Sequence, residues 1–100
     1  MGVRMIRRIF SVTVHSHLKK DFERDFESLA LPDTQLSPGC LSVQIFKPTQ
    51  CNPDTYSMIS DWESIGALGE KFGVEWRNAS IPDHMQKYAI SHSISHFESW

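Results

Sequence analysis

Four segments of the chain alternate in character with a period of two, and this alternation limits the possible folds more than any motif does. In Ile6 to Val14, Phe10, Val12 and Val14 alternate with Ile9, Ser11 and Thr13. Cys40 to Phe46 alternates likewise. Thr55 to Trp62 places Tyr56, Met58, Ser60 and Trp62 on one face, and a last strand is expected from about Ala89 to Phe97. The less apolar parity collects Ile9, Ser11, Thr13, Cys40, Ser42, Gln44, Phe46, Thr55, Ser57, Ile59, Ser91, Ser93, Ser95 and Phe97, and none of these is charged. Only Arg7 and Asp61, at strand ends, share that parity. A sheet face open to water normally carries charges. An uncharged face predicts a cover, and the simplest cover is the same face of a second copy in a two-fold dimer.

Helical spacing fills the intervals. Leu18, Phe22, Phe26 and Leu29 form one apolar stripe, with Lys19, Glu23, Arg24 and Glu27 on the wet side. Ser16 is the expected cap, and Pro32 the expected end. Next comes a loop over Pro32–Gly39, closed by the Pro38-Gly39 turn signal, and Pro48 to Asp54 reads as a hairpin loop. A second helix starts at Ser64, or at Ser60 with Glu63 in a capping box. Ile65, Leu68 and Phe72 are its stripe and Gly73 its stop, while Gly66 and Gly69 predict a close approach to a strand. Ser80-Ile81-Pro82-Asp83 reads as a further helix start, placing Ile81, His84, Met85 and Tyr88 on an inner face. The order β-α-β-β-α-β gives an α+β, ferredoxin-like sandwich: a four-stranded antiparallel sheet with helices on one face. At 100 residues the chain is expected to be one domain, 1–100.

Composition narrows the function. Ten basic against twelve acidic residues leave no positive excess for a nucleic-acid backbone. Apolar runs are too short to span a bilayer. The start, Met1 to Arg8, fits neither a secretory signal nor, with Ile6 six residues in, a myristoylation motif on Gly2. A reduced cytoplasmic setting is therefore expected, and Cys40 and Cys51 read as incidental.

Two stretches carry a family likeness. Pro38-Gly39-Cys40-Leu41, opening the second strand, is one. Tyr56-Ser57-Met58-Ile59-Ser60-Asp61-Trp62-Glu63-Ser64, leading into the second helix, is the other. Together they resemble the antibiotic biosynthesis monooxygenase family of small dimeric α/β-barrel proteins. The resemblance implies a homodimer with a ligand cavity in each subunit, between sheet and helices. It also implies oxygenation of a small aromatic, phenolic or quinol-like compound by O2 with no metal, flavin or other cofactor. Some relatives instead degrade haem, using an asparagine, a tryptophan and a histidine. Phe10, Lys71 and Ile81 stand in those places here, which speaks against that branch. The alternative to an enzyme is a dimer that binds a small ligand without chemistry.

Within this frame the expected cavity walls are Phe10, Val12, Met58 and Trp62 from the strands and Phe22, Phe26 and Phe72 from the helices, with Trp76 and Met85 near the mouth. Trp62 reads first as a core aromatic packed against both helices, a role compatible with a cavity wall. His84, Tyr88 and His92 are the candidate catalytic groups: an imidazole titrates near neutrality, and a phenol orients a substrate hydroxyl. His92 is expected on the inner face beside Val12. His15, His17, His92 and His96 match no metal-ligand spacing, so no metal site is expected. Arg7 and Arg8 point to opposite faces and read as a solvated edge.

Overall fold

In the computed structural model, which describes residues 4–78 and 81–100, the four alternating segments are β1 (Ile6–Val14), β2 (Cys40–Phe46), β3 (Thr55–Trp62) and β4 (Ala89–Glu98). They form one antiparallel sheet in the order β2-β3-β1-β4. Helices α1 (Lys19–Asp25), α2 (Leu31–Gln35) and α3 (Ile65–Phe72) complete the α+β ferredoxin-like arrangement. The readings of Gly2 and of a helix start at Ser80 lie outside the described residues. Pro82 leads into a 3-10 turn, Asp83–Tyr88. No helix among the described residues is long and apolar enough to cross a membrane.

The first helical run departs from expectation at both ends. Ser16 begins a 3-10 turn, Ser16–Leu18, and no side chain caps it. Pro32 does not end the run. Between α1 and α2 lies a π-helical turn, Phe26–Ala30, in which the Leu31 N–H reaches back to the Phe26 carbonyl, five residues away. This wider turn restarts the hydrogen-bond ladder, so Pro32 falls in the first turn of α2, where an N–H is not needed.

Helix α3 obeys its sequence signals. Ser64 Oγ accepts from the Ala67 N–H at 3.1 Å, and Gly73 closes the helix at φ 80°. The close-approach glycine, however, is Gly39. It sits at φ 84°, and a Cβ there would lie 2.5 Å from the Ala67 Cβ. Gly66 and Gly69 meet nothing closer than 3.6 Å and 4.0 Å. The Pro38-Gly39 turn is thus what presses on α3, and the Gly39 carbonyl accepts the Glu63 N–H at 2.9 Å.

Two apolar clusters lie between sheet and helices. Val12, Val14, Phe22, Phe26, Tyr56, Met58, Met85 and Tyr88 form the larger, with Phe22 stacked on Phe26 at 4.8 Å between centroids. Ile6, Trp62, Ala67 and Leu68 form the smaller. A bulge between Cys40 and Ser42 sets Cys40 opposite Trp62, so it packs on the helix side and not with the outer parity as the alternation suggested.

The outer face is a grid of directly opposed pairs. Ser11 and Ser57 share a hydroxyl hydrogen bond at 3.0 Å, as do Thr13 and Thr55. The Arg7 guanidinium donates to both Asp61 carboxylate oxygens, from Nε at 2.8 Å and from Nη2 at 3.0 Å. Ser42 Oγ donates to the same carboxylate at 3.1 Å. The two charges of this face therefore neutralise each other.

Candidate functional site

The residue stripes that build the core leave a void of about 440 Å³ between them. Its floor is β1 and β3, through Arg8, Phe10, Val12, Met58 and Ser60. Phe22, Phe26, Leu29, Ala30, Asp33 and Thr34 of the helical run cover it, Phe72 of α3 closes one side, and Ile81, Pro82, His84 and Met85 form the rim. The volume lies in the range that holds small organic ligands, and most of the wall is apolar.

Of the expected walls, Phe10, Val12, Phe22, Phe26, Met58, Phe72 and Met85 line this cavity. Trp62 and Trp76 do not. Trp62 is fully buried in the smaller cluster, where Nε1 donates to Ser60 Oγ at 2.9 Å and the ring meets Phe72 edge-on. Trp76 turns its ring against His96, with 5.0 Å between centroids, and offers its backbone carbonyl to Arg8.

The three candidate polar groups separate. His84 lines the cavity and is also exposed, so it stands at the mouth. Tyr88 is buried but turned away: its hydroxyl donates to Asp25 Oδ2 at 2.6 Å. That bond raises the phenol's pKa and lowers that of the Asp25 carboxyl, so Tyr88 is a poor source of a phenolate. A matching bond runs from the Tyr56 hydroxyl to Glu23 Oε2 at 2.6 Å, and burial pushes that phenol upward too. The two tyrosines pin α1 to the sheet and to the last turn. His92 lies opposite Val12, as the register expectation required, yet it is exposed and outside the cavity. It sits on β4, one of the two edge strands of the sheet.

The unanticipated member of the site is Arg8. It is 4% exposed, not a solvated edge, and it lines the cavity. Nη1 donates to the Trp76 carbonyl at 2.8 Å and meets His96 Nε2 at 2.9 Å, and the guanidinium lies 3.9 Å over the Phe72 ring. Burial brings its pKa down to about 10. Burial first, and then the charge of Arg8, hold His96 below the ordinary imidazole value, which suits an acceptor nitrogen. Parity carried a signal for both: Arg8 continues the inner stripe of Phe10, Val12 and Val14, and His96 lies directly across from it.

Two further polar side chains of the lining are engaged. Asp33 pairs with Lys71 Nζ at 2.7 Å, and Thr34 Oγ1 donates to Met58 Sδ at 3.5 Å. No group of three or more His, Cys, Asp or Glu side chains among the described residues is placed to hold a metal ion.

Comparison with known proteins agrees with this architecture. The model of the family described as antibiotic biosynthesis monooxygenase matches residues 5–72. A variant of SnoaB, a cofactor-independent oxygenase from Streptomyces nogalater, is 13% identical, with 93% of this chain and 90% of that one covered at a TM-score of 0.70. A candidate antibiotic biosynthesis monooxygenase from Bordetella bronchiseptica is 23% identical, with 96% and 97% covered at a TM-score of 0.67. A protein from Shewanella oneidensis, SO0527, is 15% identical, with 98% and 93% covered at a TM-score of 0.76. At these identities the structural likeness speaks for the fold. No curated protein matches the chain.

Proposed function

The chain belongs to the antibiotic biosynthesis monooxygenase family, and from that premise we propose that it is a cofactor-independent monooxygenase acting on a small phenolic or quinol-like aromatic. The observation that carries this reading is the sheltered, mainly apolar cavity with one imidazole, that of His84, at its mouth. Phe10, Phe22, Phe26, Met58, Phe72 and Met85 hold the ring by contact and exclude water. His84 takes the phenolic proton, and the resulting phenolate is electron-rich enough to reduce O2 directly. The ring carbon that gains oxygen becomes a carbonyl. Its hydrogen and the phenolic hydrogen leave with the second oxygen atom as water, and the substrate supplies all four electrons. Tyr88 and His92, placed outside the cavity, take no part in this scheme.

The working unit in this reading is a homodimer joined through the outer sheet face. Its paired hydroxyls, its self-neutralised Arg7–Asp61 pair and its exposed Phe46 and Phe97 suit contact with a like surface. Protein freed of metals and flavin is expected to consume O2 with at least one member of a panel of naphthols, hydroquinones and anthrones. No uptake across that panel overturns the oxygenase. Because His84 alone of the three candidate groups reaches the cavity, a ligand-binding dimer is the second reading. Melting shifts with the same compounds and no turnover would establish it.

A further inference from the structure

Arg7 and Arg8 make an internal comparison. On the outer face, Arg7 uses its Nε and Nη2 edge to hold both oxygens of the Asp61 carboxylate. On the inner face, Arg8 is far more buried, yet it forms no ion pair among the described residues. Its hydrogen bonds to the described residues come from Nη1 alone, to a carbonyl and an imidazole, and the ring beneath it is Phe72. All three neighbours are neutral or nearly so. The Nε and Nη2 edge has no protein partner among those residues. Among the described residues no buried side-chain nitrogen or oxygen is left both sealed and unpartnered, so this edge keeps contact with open space, and the open space beside Arg8 is the cavity.

A guanidinium buried without a counter-charge is unfavourable. The arrangement becomes favourable when a ligand brings the missing anion. The two parallel N–H groups of an arginine edge fit a carboxylate, as Arg7 demonstrates in the same strand. Asp33, the cavity's own carboxylate, is paired with Lys71 and leaves Arg8 uncompensated. We propose that the ligand of this cavity is an aromatic acid whose carboxylate is held bidentately by the Nε and Nη2 edge of Arg8 while its ring lies among the apolar walls. This rests on the cavity being the binding site, the part of the proposed function that it shares, and is independent of oxygenation. Phe72 and the Trp76 carbonyl fix the guanidinium plane, and His96 acts as a positioning residue.

The test is binding of matched probes, measured calorimetrically in the absence of O2. For the unaltered protein, 2-naphthoate is expected to bind at least about tenfold more tightly than its neutral isostere 2-naphthamide. Arg8→Met is expected to weaken 2-naphthoate by about ten- to a hundredfold and to leave 2-naphthamide within a factor of about three. Arg8→Lys, which keeps the charge but loses the fork, is expected to fall between them. The acid–amide comparison on the unaltered protein stands even if Arg8→Met fails to fold. Equal affinity for acid and amide overturns the proposal and leaves the cavity as a binding site. So does binding of 2-naphthol that depends on Arg8 more steeply than that of the acid, since that assigns the edge to a phenolate. Binding of neither probe overturns the proposal and the site together. Selective, Arg8-dependent binding of the acid without O2 uptake supports it and removes only the oxygenase.

Discussion

At the scale of single residues, two side chains of one kind and adjacent number do different work because a strand turns them to opposite faces. Arg7 neutralises Asp61 on the outside, whereas Arg8 is a buried cation facing a void. His84 and Tyr88 differ in a similar way, one at the mouth and one locked to Asp25. His84→Gln is therefore expected to cut O2 uptake by about a hundredfold or more with little change in melting temperature. Tyr88→Phe should do the reverse, lowering the melting point and sparing turnover. Asp61 gives a pH dependence. Its hydrogen bonds to Arg7 hold its pKa below the unfolded value, so the stability it adds is present above about pH 4 and is lost as pH falls through the folded value. Resistance to urea should decline from about pH 5 downward, and Asp61→Asn should flatten part of that slope. Arg8 shares the parity of the inner stripe, a signal that the reading of a solvated edge passed over. Its setting was not legible, because the Trp76 carbonyl comes from a loop whose path no local pattern encodes.

Among the elements, period-two alternation located all four strands, since each needs one apolar face toward the helices. It failed where the period itself slips. The Cys40–Ser42 bulge moves Cys40 to the other side of the sheet, and the π turn carries the helix through Pro32. One residue is inserted in each case, and a parity argument has no means of registering it. The Pro38-Gly39 turn was legible as a turn, but its contact with α3 was not. Gly39→Ala combines a left-handed φ with a Cβ 2.5 Å from Ala67. It is expected to cost about 1–3 kcal/mol in chemical unfolding, whereas Gly66→Ala, whose Cβ would meet only Ser64 Oγ at an ordinary 3.6 Å in helical geometry, should be neutral or stabilising by about 0.5–1 kcal/mol.

For the whole molecule, the outer face and the cavity lie on opposite sides of one sheet. The proposed dimer and the proposed chemistry can therefore be disturbed separately. Ile59 lies on the outer face, paired with Ile9 and flanked by Gln44. Ile59→Lys is expected to shift sedimentation from dimer toward monomer. A preparation of the unaltered protein that sediments as a monomer at micromolar concentration would argue against the dimer. An antiparallel sheet with its helices on one face was set by the element order. The cavity was not, because a void is a residue of packing: it depends on how far Trp62 sinks under α3 and on where the helical run bends.

That bend governs the roof of the void. A helix advances about 100° per residue, and the Phe26–Ala30 turn holds one residue more than an α-helical turn would. Wound as an α-helix with the same number of residues, that turn would swing Thr34 and Asp33 about a quarter-circle away from the hollow they now overhang, whereas removing one amino acid along with the wide turn would leave their direction nearly unchanged. The phase of that short segment, and with it the ceiling above any bound molecule, is thus set by the width of a single helical turn.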